Sequence, residues 1–171
     1  MRRRACIGVA FIAWLAIGCA GALAEEPLAP AAGEVVLSVS GAIARTNAPG
    51  RADFDRDMLM ALGARKLGTT TPWTEGVQEF EGPLLADVMA AVGARGARVT
   101  AVALNDYKAV LAMADFRHLG VLLALKHNGK PMPVRAKGPI WIIYPAGPGD
   151  APQDLETRGK MVWQLRELRV E

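Results

Sequence analysis

Hydrophobic and polar positions alternate from residue 35 to 40, with Val35, Leu37 and Val39 on one side and Val36, Ser38 and Ser40 on the other. A period of two predicts a strand, which Gly41 ends. Residues 42–52 break the pattern and read as a loop carrying Arg45, Asn47, Pro49 and Gly50. A short helix follows, with Asp55 as N-cap, Phe54 and Leu59 as a hydrophobic staple and Gly63 as its stop. Residues 65–71 look extended, and 72–81 read as loop. Helical spacing returns at Leu84, Leu85, Val88, Met89 and Val92. It predicts a second helix with Pro83 at its first position and Gly93 just past its end. Residues 99–104 form the next strand, Asn105-Asp106 a turn and 108–112 another extended piece, while 115–119 make at most one helical turn. The apolar run 121–126 leads into Asn128-Gly129, a dipeptide favoured in two-residue hairpins. The run 139–144 is almost continuously apolar and predicts a buried central strand. A Pro/Gly-rich loop covers 145–160, and a last strand 161–170. Short helices among many strands predict an α+β fold round a mixed β-sheet, in one domain over 35–171.

The N-terminus follows a different pattern. Arg2, Arg3 and Arg4 precede an apolar run from Ala5 to Gly21, then Ala22-Leu23-Ala24 and the charged pair Glu25 and Glu26. Basic, apolar and small-residue regions in that order predict a secretory signal cleaved after Ala24, and so a periplasmic or secreted protein. The apolar run is marginal for a membrane span, which needs about 20 residues. A lipoprotein would instead be acylated at Cys19, but Ala16 stands where a larger aliphatic residue is usual. Residues 25–34, rich in Ala and Pro, read as a flexible leader.

Cleavage changes the composition. The chain has 20 basic and 17 acidic residues. Three of the basic ones leave with the signal, so the mature charge is balanced and gives no basis for nucleic-acid binding. Cys6 and Cys19 leave too, so no thiolate remains for catalysis or metal binding. No second long apolar run exists, and the mature chain is expected to be soluble.

Few residue patterns carry chemistry. His118 and His127 have no cysteine partners, and Asp115 with His118 reads as a surface polar pair rather than a ligand pair. Asp53, Asp55 and Asp57 lack the Gly and terminal Glu of a calcium loop, and capping explains them better. Glu75, Glu79 and Glu81 read as solvated charge. No phosphate loop and no serine-hydrolase turn occurs. No metal site and no catalytic residue is therefore assigned. Three polar loops remain: Arg45 to Asn47, residues 69–75 around Trp73, and residues 134–138 with Arg135 and Lys137. Arg and Lys beside backbone N–H groups make suitable anion contacts.

Taken together, the segments resemble a known family. They are Val-Leu-x-Val-x-Gly at 36–41, Thr-Pro-Trp-Thr-Glu-Gly at 71–76 and Phe-Glu-Gly-Pro-Leu-Leu-Ala-Asp-Val-Met at 80–89. Ala-Leu-Asn-Asp-Tyr at 103–107, Leu-Leu-Ala-Leu-Lys-His-Asn-Gly-Lys-Pro-Met at 122–132 and Lys-Gly-Pro-Ile-Trp-Ile-Ile-Tyr-Pro at 137–145 complete the set. This order is similar to that of the oxidoreductase molybdopterin-binding domain, the sulfite oxidase fold, in a short exported branch. The resemblance implies an α+β fold and molybdopterin as the family's cofactor. It also implies a metal-ligating cysteine within 69–73, where this chain has threonines, and an Arg soon after the Gly-Pro, where it has Trp141. A threonine hydroxyl is a poor substitute for a soft thiolate ligand. Enzymes of this type are usually exported folded by a twin-arginine route, and the residues after the Arg pair match that signal poorly.

The expected function is therefore a non-catalytic module without a bound cofactor, recognising a small anionic or pterin-like ligand or an extracytoplasmic protein partner. Candidate ligand contacts are Arg45, Asn47, Thr71, Trp73, Asn105, Asp106, Tyr107, Arg135 and Lys137. The alternative, from the family's usual activity, is a molybdopterin-dependent oxidoreductase.

Overall fold

The computed structural model describes residues 27–147 and 153–171. The expected signal peptide, its cleavage site and Cys19 lie outside them. Strand β1 (Val35–Gly41) takes the predicted alternation, with Leu37 and Val39 buried. It pairs antiparallel with β2 (Arg51–Asp55) on one side and parallel with β11 (Leu165–Val170) on the other. The hairpin of β5 (Arg98–Ala103) and β6 (Lys108–Ala112) extends this sheet antiparallel beyond β11, giving the order β2-β1-β11-β5-β6. Gly41 has φ of +90°, and a Cβ there would collide with the carbonyl oxygen of Val170, so β1 and β11 approach only because this residue is glycine.

A second, antiparallel sheet has the order β3 (Arg65–Thr69), β4 (Gln78–Gly82), β8 (Lys126–His127) and β9 (Lys130–Pro131). Asn128 and Gly129 both have positive φ and close the β8–β9 hairpin as anticipated. Between the sheets runs a two-stranded ribbon of β7 (Leu122–Ala124) and β10 (Trp141–Ile143), buried at every residue. Leu123 N and Leu125 N donate to the carbonyls of Pro83 and Glu81, which ties the ribbon to β4. Ile142 N donates to the Val162 carbonyl and Leu165 N to that of Ile140, which ties it to the start of β11. The run 139–144 is thus buried as its composition demands, but it joins two sheets instead of lying in the middle of one.

Four short helices complete the α+β fold: α1 (Arg56–Ala61), α2 (Leu85–Ala91), α3 (Met113–His118) and α4 (Leu155–Lys160). Helix α3 is longer than the single turn expected over 115–119, β11 starts four residues later than the expected 161, and three segments read as loop contain elements. The loop 42–52 ends in β2, where Ala52 and Phe54 are buried and Arg51 and Asp53 face out. The loop 72–81 contains most of β4, and 145–160 contains α4. Pro83 lies one residue before the Leu84 N-cap of α2. Gly63 and Gly93 follow the C-caps of α1 and α2 with positive φ, as the stop signals predict. Leu37, Phe54, Phe80, Val88, Leu111, Phe116, Trp141 and Leu168 belong to one buried apolar cluster. No helix among the described residues is long and apolar enough to cross a membrane.

Asp55 caps α1 and also holds the leader. Its carboxylate accepts from Met58 N at 2.8 Å and from Ala32 N and Gly33 N at 2.9 Å each. The backbone donors of Met58 and Gly33 depress its pKa below the usual carboxylate value, against the effect of desolvation. A depressed folded-state pKa adds stability that is complete above the unfolded value near pH 4 and is lost as pH falls through the folded value. Asp55→Ala is expected to lower Tm by roughly 3 to 8 °C at pH 7. In differential scanning calorimetry that gap should narrow steadily below about pH 4. Trp141→Ala removes a side chain only 1% exposed, together with the bond from its Nε1 to the Met161 carbonyl at 3.1 Å. It should cost roughly 3 to 5 kcal/mol in urea unfolding.

Candidate functional site

Three tryptophans meet at the end of the β7–β10 ribbon. Trp73 stands edge-on to Trp163, with centroids 5.1 Å apart, and tilted to Trp141 at 5.9 Å. Phe80 of β4 meets Trp141 edge-to-face at 5.5 Å from below, and His127 stacks on Phe80 at 4.9 Å. Such pairs add about 0.5 to 1.5 kcal/mol beyond area burial. Trp141 is buried, whereas Trp73 is 38% exposed and opens onto solvent.

On the open side of Trp73 and Trp163 lies a cleft of about 300 Å³. Ala103, Asn105 and Tyr107 of the β5–β6 turn form one wall, and Arg158 and Gly159 of α4 form another, with Met161 and Val162. Polar contacts fix these walls. The Tyr107 hydroxyl donates to the Gly159 carbonyl at 2.9 Å, joining the turn to α4. Arg158 Nε donates to the Gln153 carbonyl at 2.7 Å, and Gln153 Nε2 donates to the carbonyls of Thr70 and Tyr144. Lys160 reaches Glu156 at 2.7 Å and Asp115 at 3.4 Å, and the Tyr144 hydroxyl donates to Asp115 at 3.1 Å. Burial, then the Asp115 carboxylate, hold the Tyr144 hydroxyl far above the ordinary phenol value, so it remains a donor.

The candidate residues divide between this cleft and other places. Trp73, Asn105 and Tyr107 line it. Thr71 lies beneath the Trp73 loop: its hydroxyl shares a bond with that of Thr74 at 2.9 Å and accepts from Trp73 N at 3.3 Å. Lys137 is adjacent, its Nζ 5.4 Å from the Trp163 ring centroid and 5.5 Å from that of Trp141. Its carbonyl accepts from Gln164 N, which fixes the 134–136 turn beside Trp163. Asp106 is exposed and ion-paired to Arg166 at 2.7 Å. Arg135 is exposed on the 3-10 turn and lines no part of the cleft.

Arg45 and Asn47 lie outside the cleft. Arg45 Nη2 donates to the Ala90 carbonyl at the end of α2. Asn47 exchanges bonds with the backbone of Asp53 and holds the Ala29 carbonyl. Ala103, Arg158, Gly159, Met161, Val162 and Trp163 also line the cleft and were not among the candidates. A signal for Trp163 existed, since a large aromatic just before a buried strand resembles Trp73 in its loop. A larger open groove of about 690 Å³ along β1 and β11 contains none of the candidates.

Lys137 also acts on His127. Burial, and secondarily the Lys137 charge, lower the His127 pKa below the ordinary imidazole value. Lys137→Met should therefore raise it, and NMR titration of the two histidines against pH reads the change directly. No rise would mean that the Lys137 charge does not act on His127.

Comparisons agree with this architecture. No curated protein sequence matches the chain. The crystal structure of the sulfane dehydrogenase SoxCD from Paracoccus pantotrophus superposes with a TM-score of 0.54 at 17% identity, over 78% of this chain. The chain spans 37% of that protein's chain, and at this identity the likeness is one of fold. The model of the oxidoreductase molybdopterin binding domain matches residues 55–151, more than half of the sequence, and the chain belongs to that family.

Proposed function

We propose that the chain is an exported, non-catalytic member of the molybdopterin-domain family that binds a small anionic ligand in the tryptophan cleft. One observation carries this reading: the chemistry of the donor set where the family places its metal ligand. Thr69 Oγ1 accepts from Ala146 N at 2.8 Å, and the Thr71 hydroxyl is engaged with Thr74 and Trp73. Both side chains are buried and engaged, Thr71 within its loop and Thr69 with the segment after β10. Thr70 offers a hydroxyl and no sulfur, and no cysteine occurs after Cys19. Among the described residues no group of three His, Cys, Asp or Glu side chains is placed to hold a metal ion. Trp141, where the resemblance expects Arg, is packed into the core and brings no charge to the site. These residues do not fit a thiolate-ligated molybdenum centre, and no reaction step is assigned to it.

Ligand binding suits the same geometry. The cleft is concave, mainly apolar and near the lower end of ligand-pocket volumes, which run from about 300 Å³. Arg158 is the charged residue on its wall, and Lys137 lies behind Trp163. The basic, apolar and small-residue order of the first 24 residues supports export, and an extracytoplasmic protein partner remains the second kind of ligand.

Protein purified from its native compartment should contain molybdenum well below one atom per chain by inductively coupled plasma mass spectrometry. It should also release no fluorescent pterin on oxidation. Stoichiometric metal, together with reduction of an electron acceptor, would overturn the reading in favour of an oxidoreductase.

A further inference from the structure

We infer that the cleft selects a planar aromatic carboxylate of one or two rings, with the ring against Trp73 and Trp163 and the carboxylate on Arg158; this rests on the ligand-binding reading above. Size comes first. A volume of about 300 Å³ equals that of about ten liquid waters, which limits the ligand to roughly ten to fifteen non-hydrogen atoms. Shape comes next. Trp73 and Trp163 stand perpendicular, so a flat ring can lie on the face of one and meet the edge of the other. Met161, Val162 and Ala103 close the apolar part, and a branched or strongly polar body would leave that surface unmatched.

Charge fixes the remaining end. Among the described residues no Asp or Glu lines the cleft, and Arg158 is the charged residue on its wall. Asp154 feels the Arg158 charge but spends Oδ1 on Thr157 N as the cap of α4, and Asp106 and Glu156 are ion-paired to Arg166 and Lys160. The Arg158 guanidinium is already oriented, because its Nε is bound to the Gln153 carbonyl and α4 is latched by Tyr107 and Lys160. Its two terminal Nη groups have no bond within the described chain. They can grip a planar carboxylate through charge-assisted bonds. Lys137 adds positive potential beyond Trp163. A neutral aromatic would leave the terminal Nη groups without a charged acceptor, and a bare inorganic anion would leave the indoles uncovered.

Isothermal titration calorimetry on the exported protein tests the inference with indole-3-acetate, its neutral amide indole-3-acetamide, and inorganic phosphate. The acid should bind with Kd on the order of 10 to 100 μM, the range for about a dozen ligand atoms. The amide and phosphate should bind at least about tenfold more weakly. Arg158→Gln should weaken the acid by roughly ten- to hundredfold and leave the amide unchanged, and Trp73→Ala should weaken both organic probes. Circular dichroism of the variants checks that each is folded, and the acid–amide comparison stands on the unsubstituted protein alone. Equal affinity for acid and amide would overturn the inference, as would an unchanged Kd in Arg158→Gln. A molybdenum-free preparation that binds neither organic probe refutes the aromatic class and spares the ligand-module reading. A preparation loaded with molybdenum refutes that reading itself.

Discussion

The fold and its cleft both depend on Trp141. The indole is almost wholly buried where the β7–β10 ribbon passes from one sheet to the other, and its N–H is satisfied by the Met161 carbonyl. Without that bond a buried donor would be left unmade, at a cost of about 1 to 3 kcal/mol. Around it, Phe80 contributes from β4, Trp73 from the loop before β4, and Trp163 from the approach to β11. One side chain therefore sets the distance between the two sheets and provides the surface on which the cleft tryptophans rest. In this family member the position implied to carry a charged residue has become the centre of a hydrophobic cluster.

That exchange bears on chemistry. A site that holds a metal needs side chains free to ligate it, and here the relevant hydroxyls are engaged: Thr69 with Ala146 N after β10, Thr71 with Thr74 and Trp73 N in its own loop. The loop is ordered by its threonines, and its order presents Trp73 to solvent. Two cations stand at the tryptophan cluster, Arg158 on the cleft wall and Lys137 over the indoles. Under the proposed reading, the cleft offers a cation and aromatic walls while the ligating sulfur is absent.

Much of the fold was legible because its elements bury one face. Strand β1 alternates cleanly, α2 carries an apolar stripe, and Asn128-Gly129 has the φ values that its hairpin requires. The missed elements lack such faces. In β4, Gln-Glu-Phe-Glu-Gly holds one large apolar residue, and Gly82 is inward because a Cβ there would strike the Leu123 carbonyl. Helix α4 buries nothing, and its exposed Leu155 misleads. Only the Asp154 cap onto Thr157 N and the Glu156–Lys160 pair mark it. The site was legible in part for the same reason. Trp73, Asn105 and Tyr107 were found because polar loops and a lone aromatic stand out, while Arg158 lay in a segment read as loop. Arg45 and Asn47 have the right chemistry for a ligand, but their hydrogen bonds go to the backbone of their own surroundings, and spacing alone cannot separate the two uses.

Native mass spectrometry of the protein taken directly from its native compartment tests the central claim most directly. The account predicts a mass equal to that of the processed polypeptide, with at most one small organic ligand of roughly ten to fifteen non-hydrogen atoms released on mild activation. A mass increment matching a molybdenum-bearing pterin, retained until the chain unfolds, would contradict it.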